Sequence, residues 1–508
     1  MASFLPRTSL GLILLSAVAA LPACGDDGDD PAPTTTSTTN TTTTTGEGGA
    51  DGEGGGGTGG GGAGGGTAAV DFPDPIVAGT PETDALADAP AQCGQPAHAW
   101  RKDLELGRIS AHESQASYSA AVLEALLGAA VGDVPLELRY DVEVHLVTYL
   151  TQDRGQEIEA TTLVAWPVNV PADAEALPTL LVLHGTTGFM DGCGSSADAT
   201  WGALAAAFAS AGFAVVAPDY IGLKATAPPT GSLHPYLVGQ ATAIASLDAV
   251  RTLGRLPPEI LKGEGRPSPR LAVLGGSQGG HAALWVDRLA PYYARELELV
   301  GVAATVPPSD LVGQAELALT TLRPSTGNMV AFYGASSGWY GAGDDLAQVF
   351  VPPLDADVPA ALAGSCNPGD LFSGASSLEE IFQPEVLEAA AAGTYTDVEP
   401  WGCMGVENGL TTTSIARIQQ DPASYGILFV TGEADELVDT PTERVAYETL
   451  CNAGMPVQYL ECAEASHTDA TTWALPEIVT FLQARLAGEA FAPSCEASAP
   501  ETCQGTQL

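Results

Sequence analysis

The chain has 508 residues and a formal net charge of −44, with 62 Asp and Glu against 18 Lys and Arg. So acidic a chain excludes nucleic acid as a partner, because binding it needs cations to neutralise phosphates. The same charge is repelled by an anionic membrane face.

Residues 1–23 read as a signal peptide: Arg7 stands near the start, followed by an apolar run over 10–21 that is too short to span a bilayer. Leu21-Pro22-Ala23-Cys24 resembles a bacterial lipobox, which predicts cleavage before Cys24 and lipid attachment to it. Residues 24–70 then form the lipidated Cys24 and a Thr- and Gly-rich tether. As a flexible coil, about 45 such residues reach roughly 35–40 Å. The protein is thus expected to be exported, anchored at the cell envelope, and in touch with a membrane only through lipid at Cys24.

Nine cysteines leave eight once Cys24 is set apart. An even number in an exported chain suits disulfides better than metal ligands. Nearness in sequence suggests Cys451–Cys462 and Cys495–Cys503, with Cys366–Cys403 closing a loop further upstream.

Beyond residue 70, apolar runs predict strands over 141–151, 157–166, 179–183, 213–217, 270–274 and 299–304, with helices between the later ones. The pattern lapses between 305 and 424. It resumes with a strand over 427–431, a helix over 442–452, a strand over 457–461 and a closing helix over 470–486. Alternating strands and helices predict an α/β fold built on a mostly parallel, doubly wound sheet, with the first two strands as an antiparallel edge. Residues 71–305 and 425–490 would be two parts of one core. Residues 306–424 would be a loop-rich cap or lid inserted above it, and 491–508 a cysteine-containing tail.

The most informative motif is Gly275-Gly276-Ser277-Gln278-Gly279. It lies between a strand and a run with helical spacing (Leu284, Trp285, Leu289, Tyr292), which is the setting of a nucleophile elbow. In such folds an acid and then a histidine follow the serine in chain order. Of seven histidines only His281 and His467 lie beyond Ser277, and His281 is one helical turn from the serine, too close to act as its base. His467, in the loop after the last strand, is the candidate general base. The acid is expected in the loop after 427–431, where Glu433, Asp435, Glu436 and Asp439 compete. Asp435 has the preferred spacing, with Asp439 next. Backbone N–H of Gln278 would be one oxyanion donor, and Thr186 in His184-Gly185-Thr186-Thr187-Gly188 the other. His184 itself is expected to bond locally and shape the turn. Asp219, directly after the strand 213–217, is equally open to a backbone-bonding role and a role in the site.

Four segments together, 184–188, 218–223, 234–239 and 275–285, resemble the secretory lipase family, lipase-A-like α/β-hydrolases with a cap domain. The resemblance runs over roughly residues 95 to 490. It implies an α/β-hydrolase fold, a triad on Ser277, Asp435 and His467, and an aspartate in the oxyanion region that falls on Asp219. It also implies hydrolysis of carboxylic esters, small-molecule or lipid, through an acyl-enzyme, a chemistry that needs no metal or organic cofactor. A peptidase or amidase of the same fold, or a cell-surface binding lipoprotein without turnover, are the competing readings.

Overall fold

Strand pairing follows the apolar runs. The computed structural model describes residues 72–505 apart from 89–92, 94, 96–97, 132–133, 263–264, 370, 373 and 421–422. The expected leader, Cys24 and tether lie outside the described residues. Nine strands form one sheet: β1 (Ile109–Tyr118), β2 (Val142–Asp153), β3 (Gln156–Pro167), β4 (Leu177–Leu183), β5 (Ala214–Pro218), β6 (Pro267–Gly276), β7 (Glu298–Thr305), β8 (Gly426–Gly432) and β9 (Val457–Cys462). Their order is β1-β2-β3-β5-β4-β6-β7-β8-β9. β1, β2, β3 and β5 pair antiparallel, and from β5 through β9 every pairing is parallel.

β4 through β9 are almost wholly buried, as a parallel sheet covered on both faces requires. Consecutive residues enter opposite layers, with Leu181, Val216 and Val273 on one face and Leu180, Val215 and Ala272 on the other. The outermost strand, β1, escapes the reading of apolar runs. Its sequence is polar and its side chains are mostly exposed, because an edge strand that faces solvent needs no apolar alternation. Expected as one piece, the closing helix is two, His467–Trp473 and Leu475–Leu486. Pro476 lacks the N–H that a continuous helix would use there.

Strand order reverses around β4. The chain passes from β4 to β5 on one side, then crosses back to β6 on the other. A crevice opens at the carboxyl ends of strands at such a switch point. Pairing of Leu183 with Gly275 sets the loops after β4 and β6 side by side there.

Between β7 and β8 the described residues form five α-helices, Leu311–Thr320, Ser325–Ser336, Leu354–Leu362, Pro384–Ala391 and Trp401–Asn408. This insertion is more helical than its Pro and Gly content suggests. Its helices are short, and a buried group of Tyr333, Phe350, Phe382, Tyr395 and Trp401 holds them together.

The disulfides correct all three expected pairs. Cys93 joins Cys403, Cys193 joins Cys366, Cys451 joins Cys495 and Cys462 joins Cys503. Cys451 lies in the helix Thr440–Asn452, ahead of β9, whereas Cys462 ends β9. A strand rises about 3.3 Å per residue, so β9 carries Cys462 well beyond the reach of a disulfide, about 4.4–6.8 Å between Cα atoms. The tail runs alongside β9 in the same direction, with Glu501 bridged in parallel to Cys462, and delivers Cys495 and Cys503 to separate partners. Cys93–Cys403 and Cys193–Cys366 fasten the insertion to the core.

A buried carboxyl makes a further fastening. Glu443, in the helix Thr440–Asn452, accepts hydrogen bonds from Ser309 N at 3.0 Å, from Ser309 Oγ and from Gln314 Nε2 at 2.9 Å. Burial raises its pKa from the ordinary carboxylate value to about 7. Between the usual value and about 7, the folded chain holds a proton that the unfolded chain has released. Stability contributed by this group therefore falls as pH rises through that window. Thermal unfolding of Glu443→Gln, followed from pH 5 to pH 8 beside the parent, should show a smaller loss of melting temperature across the range. An equal loss in both would contradict this account of Glu443.

Candidate active site

Ser277 stands between β6 and the helix Gln278–Tyr293 with φ 57° and ψ −120°. A non-glycine residue adopts this region only under tight constraint. Two glycines supply the room. A Cβ on Gly275 would come within 2.0 Å of Gly279 O, and one on Gly279 within 2.0 Å of Leu183 O. Ser277 N–H donates to Thr305 O at 2.9 Å, which ties the turn to the end of β7. The hydroxyl is thereby held at the first turn of a helix whose leading N–H groups have no intrahelical partner.

His467 follows β9 at the start of its own short helix, capped by Ser466, which accepts from Asp469 N. Its Nε2 lies 2.9 Å from Ser277 Oγ, and its Nδ1 lies 2.8 and 3.0 Å from the two Asp435 oxygens. A carboxylate beside Nδ1 selects the Nδ1–H tautomer and leaves a lone pair on Nε2 for the serine proton. Asp435 Oδ1 also accepts from the N–H groups of Leu437 and Val438 at 2.8 and 2.9 Å. The carboxylate is thus aimed by its own loop. Asp439, the other candidate, caps the helix Thr440–Asn452 through Thr442 N and Oγ1.

The remaining candidates divide. Gln278 is the first residue of the elbow helix, and its buried side chain meets His234 Nε2 at 2.6 Å. Thr186 lies in the loop after β4, whose Gly185 packs beside Ser277, and its Oγ1 is 2.9 Å from Tyr236 Oη. Asp219 is fully buried, and burial raises its pKa. Its carboxylate receives Ser196 N and Oγ, Thr161 Oγ1 and Ser195 Oγ at 2.6–3.1 Å. Those bonds commit it to the loop before the helix Ala199–Ser210, and it is absent from the lining of the cavity at Ser277. One of these contacts is with backbone, Ser196 N–H, and three are with hydroxyls. His184 Nδ1 meets Gly185 O at 2.6 Å, and burial lowers its pKa to about 4, so it shapes the turn as a neutral ring. His281 is likewise buried, with its pKa lowered to about 4, and its Nε2 donates to Asn408 O of the insertion at 2.8 Å. Among the described residues no three His, Cys, Asp or Glu side chains gather as metal ligands would.

Ser277 and His467 open onto a cavity. Apolar side chains dominate it, among them Leu237, Leu311, Ala315, Ala318, Met329 and Phe332. All of these except Leu237 come from the insertion. Asn328 lines both this cavity and a second hollow, which Thr186, Phe189, Leu371 and Phe372 also line. His234 and Tyr236 belong to the motif 234–239 but had no individual role in the sequence, and Asn328 gave no signal there. Nothing in their spacing brings them to Ser277, because three separate segments must fold together first.

Comparison with known proteins agrees with the fold and with the motifs. Residues 200–321, which contain the elbow, match the secretory lipase family. Lipase 2 of Candida albicans is 25% identical over 300 residues, covering 56% of this chain and 57% of that protein. The chain thus spans about half the length of this curated relative. The rice cell wall degrading esterase LipA from Xanthomonas oryzae, in a ligand-bound form, superposes with a TM-score of 0.58 at 20% identity, over 75% of this chain and 97% of that one. Closed Candida antarctica lipase A superposes with a TM-score of 0.56 at 16% identity, over 84% of this chain and 91% of that one. The resemblance read from the four motifs is borne out by these matches, and the chain has the α/β-hydrolase fold.

Proposed function

We propose that the protein is an exported serine hydrolase that cleaves carboxylic esters. The observation that carries this reading is the continuous chain Asp435–His467–Ser277, at 2.8 and 2.9 Å, opening onto an apolar cavity. Ser277 Oγ attacks the ester carbonyl carbon while His467 Nε2 takes the hydroxyl proton. Asp435 holds the imidazole and stabilises the imidazolium, itself remaining ionised. Negative charge on the former carbonyl oxygen is met by Gln278 N–H and by Thr186. As the C–O bond breaks, Nε2 returns the proton to the leaving alkoxide. Water, deprotonated by the same nitrogen, then releases the acid and restores Ser277.

The insertion's apolar wall gives the acyl chain a place to lie, which favours an ester of a hydrocarbon acid over a peptide. Four disulfides and the secretory lipase match support an exported protein. Residues 1–23 would direct export, and lipid on Cys24 would keep the enzyme at the envelope by its tether.

Two outcomes test the reading. On p-nitrophenyl esters from acetate to palmitate, Ser277→Ala should lose at least about 10⁴-fold in kcat. Retained turnover in that variant, or cleavage of peptides alone by the parent, would overturn it. Ala318→Phe, which adds bulk to the cavity wall, should leave acetate turnover nearly intact and cut kcat/KM for the longer esters by tenfold or more, about 1.4 kcal/mol. An unchanged chain-length profile would remove the acyl chain from this cavity.

A further inference from the structure

His234, Pro235 and Tyr236 are three consecutive residues that touch both loops flanking Ser277. His234 Nδ1 lies 2.8 Å from Ile221 O, which can only accept, so Nδ1 carries the proton. The ring is fully buried, and burial lowers its pKa to about 3, so it stays neutral and Nε2 presents a lone pair. Gln278 Nε2 donates to that lone pair at 2.6 Å. The opposite amide orientation would set two acceptors face to face. Gln278 is thereby pinned by its side chain, and with it the direction of its backbone N–H.

Two residues on, Tyr236 Oη accepts from Asn328 Nδ2 at 3.1 Å and lies 2.9 Å from Thr186 Oγ1. Either hydroxyl can give the proton of the Thr186–Tyr236 bond, and where the phenol gives it, the Thr186 proton is left for another acceptor. The segment is held from both sides. His234 N–H donates to Phe189 O at 2.8 Å, and Ser336 Oγ of the insertion donates to Tyr236 O at 2.6 Å. His234 also stacks on Tyr220, which stacks on His184 at the start of the Thr186 loop, with centroids 5.6 and 4.1 Å apart. Pro235 fixes one backbone angle between the two contacts.

We propose that His234-Pro235-Tyr236 is a positioning segment that sets Gln278 and Thr186 at the separation a tetrahedral oxyanion requires. The inference rests on the hydrolase reading above. Neither His234 nor Tyr236 touches the reacting atoms; each acts through the residue it holds. An oxyanion donor that is removed outright costs about 10²–10³ in kcat, and one that is loosened costs less.

The test uses the full chain and three variants. Tyr236→Phe removes only the hydroxyl. His234→Asn keeps a donor for Ile221 O and removes the acceptor for Gln278. His234→Gln can return an oxygen to Gln278 Nε2. Hydrolysis of p-nitrophenyl butyrate is measured per site titrated with diethyl p-nitrophenyl phosphate, so that misfolded chains are not counted. The expected result is a fall in kcat of about tenfold or more for Tyr236→Phe and His234→Asn, KM within about twofold of the parent, and substantial recovery in His234→Gln. Variants that lose titratable sites or melting temperature but keep kcat per titrated site would overturn the positioning role and leave a structural one. A parent chain inert on every ester would overturn the hydrolase reading itself, a separate and distinguishable failure.

Discussion

Three backbone segments, the end of β4, the end of β6 and the first turn of the elbow helix, approach one another more closely than any side chain would permit. Gly275 and Gly279 are the points of contact, and a single Cβ at either would reach a backbone oxygen at 2.0 Å. That approach forces Ser277 into its left-handed conformation and turns the start of the helix toward the site. It also brings the loop carrying Gly185 and Thr186 beside Ser277, since β4 and β6 are paired up to Leu183 and Gly275. Without it the Ser277 hydroxyl, the first-turn N–H groups and the Gly185 loop would not lie together.

The insertion completes what the sheet begins. It supplies most of the apolar wall at Ser277, so its seating decides the shape of the cavity. Cys193–Cys366 and Cys93–Cys403 tie it covalently to the core. His281 and Trp285 of the elbow helix both donate to Asn408 O, and Glu443 receives Ser309 and Gln314. Several of these ties begin on elements that also carry the site. The elbow helix holds Gln278 and His281, and Glu443 follows the Asp435 loop in sequence. Loosening the insertion would therefore disturb the chemistry as well as the pocket.

Much of this was legible in the sequence. Ser277 announced itself because the elbow demands small neighbours at fixed offsets. His467 could be reached by elimination among seven histidines. Asp435 stood in the loop after a clear apolar strand, although only the fold separates it from Asp439, which caps a helix. Where reading failed, the determinants were non-local. β1 is polar because it is an edge, and periodicity detects burial rather than hydrogen bonding. The disulfides follow the direction of the tail along β9, which cysteine spacing does not encode. His234 and Tyr236 stand in one of the four motifs, yet their contacts could not be read there because each meets a residue far away in the chain.

The most direct test of the central claim is where a covalent probe lands. Treating the full chain with diethyl p-nitrophenyl phosphate and mapping the adduct by tandem mass spectrometry reads the nucleophile itself. The account predicts one diethylphosphoryl group per chain on Ser277, and none in His467→Ala, whose serine has lost its base. A label on another residue, or an unlabelled chain that still hydrolyses esters, would contradict it.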